Sequence, residues 1–230
     1  MRILSIDWDY FFPDINNYDW CANEENSLFY EAIWFCRCYS HNLVTKKEAL
    51  FEYIPTIPEN FWSIVKNRPK LYLADSHSQI WHLISQLSGC IVDSFDAHHD
   101  YGYKNKPDVV DCSNWGQHGL RLCDISELNL YYPGWREKYK ESKGIIGPTN
   151  THYGLPGPNN YDAVFVCRSS CWTPPWHDVS FKRFISRSNL DNNLMDQKVW
   201  NRRSLTMREA KKIRLIDKAR IEQLMKANHV

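Results

Sequence analysis

The sequence has almost no net charge, no apolar run approaching the ~18–20 residues that cross a bilayer, no internal repeat and no second Cys-x-Cys pair. Each absence removes a class of protein. The formal charge of +1 is unevenly spread: 13 of the 28 Lys and Arg but only 5 of the 27 Asp and Glu fall in 182–230, so the first 181 residues carry an excess of seven acids. A protein that grips nucleic acid through its phosphates needs basic surface across the fold, so no nucleic-acid partner is expected. Without a spanning run, no membrane partner is expected either. The opening MRILSIDWDYFFPD puts acids inside its first apolar run and offers no small-residue cleavage site, which argues against a signal peptide. Eight cysteines (Cys21, Cys36, Cys38, Cys90, Cys112, Cys123, Cys167 and Cys171) are scattered along a chain long enough to build its own core. They are read as reduced thiols of a cytoplasmic protein. Cys36-x-Cys38 lacks the matching pair that a zinc ribbon requires.

With 43% hydrophobic and 24% charged residues, the 230-residue chain suits one sizeable domain over 1–230 rather than a disordered segment. Short apolar or β-branched runs at Ile3–Ile6, Leu71–Leu73, Cys90–Phe95 and Ala163–Cys167 alternate with segments of helical character at 24–38, 58–66 and 76–88. This alternation predicts an α/β fold, three-layered, with a mostly parallel sheet and helices over both faces. The segment 143–160 holds four glycines and three prolines and reads as a long loop. From about 186 the composition turns polar and basic. Leu205, Ala210, Ile213, Ile216, Ile221 and Leu224 share one face of a helical wheel, so 186–230 is expected to be a basic helical extension. Its apolar stripe is expected to pack on the body or on a second copy of the chain, with docking of an acidic partner as the alternative.

Three of the apolar runs end in acids and histidines. Asp96, His98 and Asp100 lie at i, i+2 and i+4, so an extended chain would point all three to one side. Asp7 and Asp9 repeat that spacing after Ser5-Ile6, at a strand end where open α/β sheets place their sites. His77 follows a third strand in Leu73-Ala74-Asp75-Ser76-His77-Ser78. Taken singly, each has a plain alternative: a solvated strand end or helix cap for the acids, a loop histidine for His77. Together they place four carboxylates and two imidazoles at strand ends. Carboxylates that close repel one another and lose hydration, so they require a cation or a shared proton. The oxygen-rich set suits Mn²⁺ better than a thiolate zinc site, and its size suffices for two ions.

Asp96-Ala97-His98-His99-Asp100 resembles the D-A-H-x-D motif of the arginase (ureohydrolase) family, and Ser5-Ile6-Asp7-Trp8-Asp9-Tyr10-Phe11-Phe12-Pro13 is similar to its S-x-D-x-D-x-x-D-P. Phe12 stands where that family has an aspartate outside the ligand set. Asp75-Ser76-His77-Ser78 resembles the family's G-G-D-H-S turn, and Asn114–Gly119 resembles the segment carrying an active-site histidine, here His118. The D-x-D motif comes first in this chain and last in the family, as if circularly permuted. That order and the short chain resemble an atypical branch, the peptide arginases, which convert arginine side chains to ornithine in ribosomally made peptides. The resemblance implies one Mn²⁺ on His77, Asp96, Asp100 and Asp7 and a second on Asp96, His98, Asp7 and Asp9, with Asp96 and Asp7 bridging.

It also implies a mechanism: water activated between two Mn²⁺ ions attacks the guanidinium carbon, Asp100 returns the proton to the leaving nitrogen, and His118 relays protons to solvent. The implied partner is a precursor peptide and the products are peptidyl ornithine and urea. Glu52 is a weak candidate for holding the guanidinium. The alternatives are a ureohydrolase acting on arginine, agmatine or another small guanidine, a zinc deacetylase of the same fold class, and a non-catalytic peptide-binding module. Asp9 and Asp100 exceed what a one-metal deacetylase needs. His99, offset by one from the ligands, is expected to turn away from them.

Overall fold

A computed structural model describes residues 1–13, 33–34, 53–102, 109–122, 124–138, 149–195 and 206–212. Seven strands form one sheet: β1 (Arg2–Asp7), β2 (Lys70–Ala74), β3 (Cys90–Phe95), β4 (Ile125–Tyr132), β5 (Thr149–Tyr153), β6 (Ala163–Cys167) and β7 (Asn192–Leu194). Their spatial order is β5-β4-β3-β1-β6-β2-β7, and every pairing is parallel. The α-helices among the described elements are α1 (Trp81–Ile84), α2 (Trp115–Arg121) and α3 (Asp178–Arg187).

Both faces of the sheet are covered, as the near-continuous apolar strands require. On one face Leu4, Ile6, Leu71, Leu73, Phe95, Val164 and Val166 pack under Phe61, Ile64 and the α3 residues Phe181, Phe184 and Ile185. The spacing of those three α3 residues builds one apolar helix stripe. On the other face Ile3, Val92, Leu128, Leu130, Phe165 and Cys167 pack under Ile80, Ile84 and Trp115. The result is the three-layer α/β arrangement that the alternating runs predict.

The differences lie in the connecting segments and at the sheet edges. The expected helix at 58–66 is a 3-10 turn at Phe61–Ile64, and 76–88 divides into a 3-10 turn at His77–Ile80 followed by α1. Segment 143–160 is not loop throughout, because 149–153 forms β5 on the β4 edge. Within 186–230, residues 192–194 are the strand β7 paired to β2, so the extension begins inside the sheet. Residues 207–212 are helical, with Ala210 buried and Arg208, Lys211 and Lys212 exposed. That agrees with one position of the expected stripe; the rest of it, the 24–38 segment other than 33–34, Cys36-x-Cys38 and Glu52 lie outside the described residues.

Register places the site. Asp7 and Ala74 both stand level with Cys167, and Ile6 stands level with Phe95, so β3, β1, β6 and β2 end along one line. The chain runs outward from β1 in both directions, which opens a crevice at the carboxyl edge.

Candidate metal centre

All six predicted ligands come together at that edge, by local turns rather than by strand alternation. β1 ends at Asp7, whose Oδ1 accepts the Asp9 amide at 2.9 Å and caps a 3-10 turn over Trp8–Phe11. That turn aims Asp9 back across the strand ends, where its Oδ1 accepts the Ala97 amide at 3.2 Å. β3 ends at Phe95, so Asp96, His98 and Asp100 sit on a loop. Asp96 Oδ1 accepts the His98 amide at 2.7 Å, and Asp100 takes a left-handed conformation with φ 48°. Such a backbone is costly for a residue other than glycine and persists only where its surroundings hold it. Here the Trp115 indole donates to Asp100 Oδ2 at 2.7 Å, and the Asp100 carbonyl accepts the Gly116 amide at 3.1 Å. A Cβ on Gly116 would lie 2.9 Å from Leu128 Cδ2 and 3.1 Å from that carbonyl, so a larger residue would press α2 away from the Asp100 loop. His77 opens the 3-10 turn after β2, behind its cap Ser76.

The ligand atoms face one another. His77 Nδ1 lies 2.8 Å from Asp100 Oδ2, 3.0 Å from Asp96 Oδ2 and 3.4 Å from Asp7 Oδ2. His98 Nδ1 lies 2.9 Å from Asp9 Oδ2 and 3.6 Å from Asp96 Oδ1. A six-coordinate ion with bonds of about 2.1 Å sets neighbouring ligand atoms roughly 3 Å apart. Asp9 Oδ2 and Asp96 Oδ2 are buried, and the imidazole nitrogens beside them are not aligned for a hydrogen bond. A cation would complete both.

Two groups follow from this geometry, Asp7–His77–Asp96 and Asp9–Asp96–His98, and each can hold a metal ion. Asp96 belongs to both, as the implied bridge requires; Asp7 is grouped only with the first. Asp100 approaches the first group through His77. On the other side of the His77 ring, Nε2 lies 2.7 Å from Ser5 Oγ. With the proton assigned to Nε2, Ser5 accepts it and Nδ1 becomes the ligating nitrogen, an outer contact of the sort that fixes metal-binding imidazoles. The ring is held between Trp115, at 4.8 Å, and Phe165, at 5.8 Å.

His99 Nδ1 accepts the Tyr101 amide at 3.0 Å, and His99 is in neither group. His118 is buried one turn into α2, its Nδ1 3.0 Å from Arg121 Nη2 and its ring edge-on to Trp81 at 6.3 Å. Sequence reasoning missed Ser5 as the His77 anchor and Trp115 as the Asp100 anchor. The serine one alternation before Asp7 was the available signal for the first; nothing local signals the second.

The electrostatics of the cluster follow from its burial and crowding. Burial, reinforced by Asp7 and Asp96, pushes the Asp9 carboxyl well above its usual range. Burial and Asp96 push Asp100 up to about 7. Burial works against charge on the imidazoles, but Asp100, Asp7 and Asp96 around His77, and Asp9 and Asp96 around His98, raise both well above the usual histidine value. Asp96, also opposed by burial, is pulled far below its range by the two histidines. Near neutral pH the metal-free cluster therefore holds protons that ligation must expel. Metal binding is expected to release protons and to tighten as pH rises through about 7. Calorimetric titration in buffers of different ionisation enthalpy checks this, and affinity flat between about pH 6 and 8 would contradict it.

No helix among the described residues is long and apolar enough to cross a membrane. Comparison of the chain with protein-family models, with curated proteins and with solved structures found no match.

Proposed function

We propose that the chain is a dimanganese hydrolase that converts arginine side chains of a peptide to ornithine and releases urea. The observation that carries this reading is Asp96, a buried carboxylate common to two adjacent His–carboxylate groups. Two ions sharing a carboxylate suit the attack of water on a poor electrophile such as a guanidinium carbon, and an oxygen-rich set with two imidazoles suits Mn²⁺. Asp7, Asp9, His77, Asp96, His98 and Asp100 would hold the ions, which supply water of lowered pKa.

The remaining work falls to the chain. Ser5 and Trp115 fix His77 and Asp100 in place. Asp100 takes the proton given up by the attacking water and delivers it to the leaving δ-nitrogen, and His118 exchanges protons with solvent. The reaction balances as guanidine plus water giving amine plus urea. The motif order supports a peptidyl over a free substrate, and a ribosomally made peptide would be met in the cytoplasm.

Mass spectrometry of an arginine-containing peptide incubated with Mn²⁺-loaded protein tests this. A loss of about 42 Da per arginine, with urea formed in step, is the outcome for metal-assisted hydrolysis of a guanidine. Turnover of free arginine equal to that of a blocked peptidyl arginine would move the assignment to a small-molecule ureohydrolase. Removal of an acetyl group in place of urea release would move it to the deacetylase.

A further inference from the structure

We propose that Trp172 is the substrate-contacting wall of this centre, a flat indole on which a planar cationic side chain stacks as it reaches the metals. The proposal deepens the function proposed above and rests on it for the identity of the cation, a guanidinium.

The cluster opens to solvent on one side. The His98 side chain is 20% exposed, whereas those of Asp7, Asp9, His77, Asp96 and Asp100 are at most 9% exposed. Trp172 packs against the apolar core and lies beside His98, its ring 5.0 Å from the His98 ring and inclined by 50°. It is only partly buried, while its neighbours Ser169, Ser170, Cys171 and Thr173 are buried.

The loop that carries it is held on all sides. It leaves β6 between β1 and β2, the strands that deliver Asp7 and His77. The Arg168 and Ser169 amides donate to the Ala74 and Asp75 carbonyls, and Ser169 takes a left-handed φ of 53°. The Trp172 and Thr173 amides both donate to the Ser169 carbonyl at 2.9 Å. Ser170 Oγ donates to Asp75, and its carbonyl accepts the Trp34 indole at 2.6 Å. Beneath lies the fully buried Arg168, donating to Asp178 Oδ1, Thr173 Oγ1 and the Pro174 carbonyl. A buried charge and a strained serine are expensive ways to hold a turn, and sites that must present one side chain in one place use such support. The side chain presented here is an indole, whose negative π-face favours a flat cation.

The test compares wild type with Trp172→Ala and Trp172→Phe, all loaded with Mn²⁺. The probes are an N-acetyl-arginine amide and its neutral citrulline counterpart, read by urea release and by calorimetric binding. Stacked cation–π contacts correspond to roughly a 2- to 30-fold change in affinity. Trp172→Ala is expected to raise KM for the arginine probe within that range with metal content unchanged, to alter citrulline binding little, and to be largely restored in Trp172→Phe. Unchanged binding of the arginine probe overturns the proposal. Loss of metal in Trp172→Ala also overturns it, making the indole a cover for His98. If wild type binds the arginine probe but releases no urea, the reaction reading fails while weaker binding by Trp172→Ala still supports the indole's role. Absence of binding by wild type overturns both.

Discussion

Asp96→Ala is expected to leave a protein without bound metal pairs and without activity. Asp96 reaches both ligand groups, so its removal takes one ligand from each. It also removes the carboxylate that accepts the His98 amide, which shapes the loop carrying His98 and Asp100. Losing a bridging ligand from a dinuclear site lowers affinity at both positions, and because metal binds the folded chain, its absence also lowers stability. The measurement is metal content after gel filtration in Mn²⁺, paired with thermal melting with and without the ion. Wild type is expected to gain several degrees on adding Mn²⁺, whereas Asp96→Ala gains little. His99→Ala, which alters a neighbour outside both groups, is expected to keep its metals. Equal metal loss in the two variants would show that the assigned ligand is wrong.

The second large effect is on stability. Asp178→Ala is expected to destabilise the protein by about 3–5 kcal/mol, because a buried guanidinium then loses its counter-charge. Arg168 is 0% exposed, and both Nε, at 2.8 Å, and Nη2, at 2.5 Å, point to a single oxygen of Asp178. Among the described residues Arg168 also meets Thr173 Oγ1, the Pro174 carbonyl and the Phe181 ring, all neutral. Denaturant unfolding of the metal-free forms isolates this term from ligation. A change below about 1 kcal/mol, typical of exposed pairs, would show that solvent reaches Arg168 after all.

The apolar runs at Ile3–Ile6, Leu71–Leu73, Cys90–Phe95 and Ala163–Cys167 announce β1, β2, β3 and β6, the four strands whose ends carry or flank the site. The strands that the sequence conceals are those whose polar residues are satisfied by distant partners. In β4, Ile125–Tyr132, Asn129 reads as a break, but its amide donates to Asp93 and Glu127 and its carbonyl accepts from Asn150 of β5. Asp93 is bound in turn by Arg2 and Tyr161, from elements 91 and 68 residues away. β5, TNTHY, lies inside a Gly- and Pro-rich segment and takes its form from pairing to β4.

The residues that cluster were legible by type and spacing, and their means of convergence was not. A two-residue period suggests an extended strand, whereas Asp9 sits in a 3-10 turn and Asp100 in a left-handed one. The first turn is closed by the Asp7 carboxylate accepting the Asp9 amide, a competition between side chain and ladder that spacing alone does not reveal, and the second is held by the distant Trp115 indole and Gly116 amide. Arg168 and Trp172 gave no sign in sequence, because their roles depend on which strands β6 separates.

That separation also sets an order on assembly. β2 pairs with β6 and β7, and β1 pairs with β3 and β6, so His77 reaches Asp7 and Asp96 only across β6. The strand that joins them, Ala163–Cys167, is synthesised about 90 residues after His77. A nascent chain holding all six ligands thus lacks the seam that brings His77 to the others. An ion captured through His77 would therefore come late, after β6 has joined the sheet, and a chain stalled before β6 emerges has every candidate ligand without the strand that gathers them.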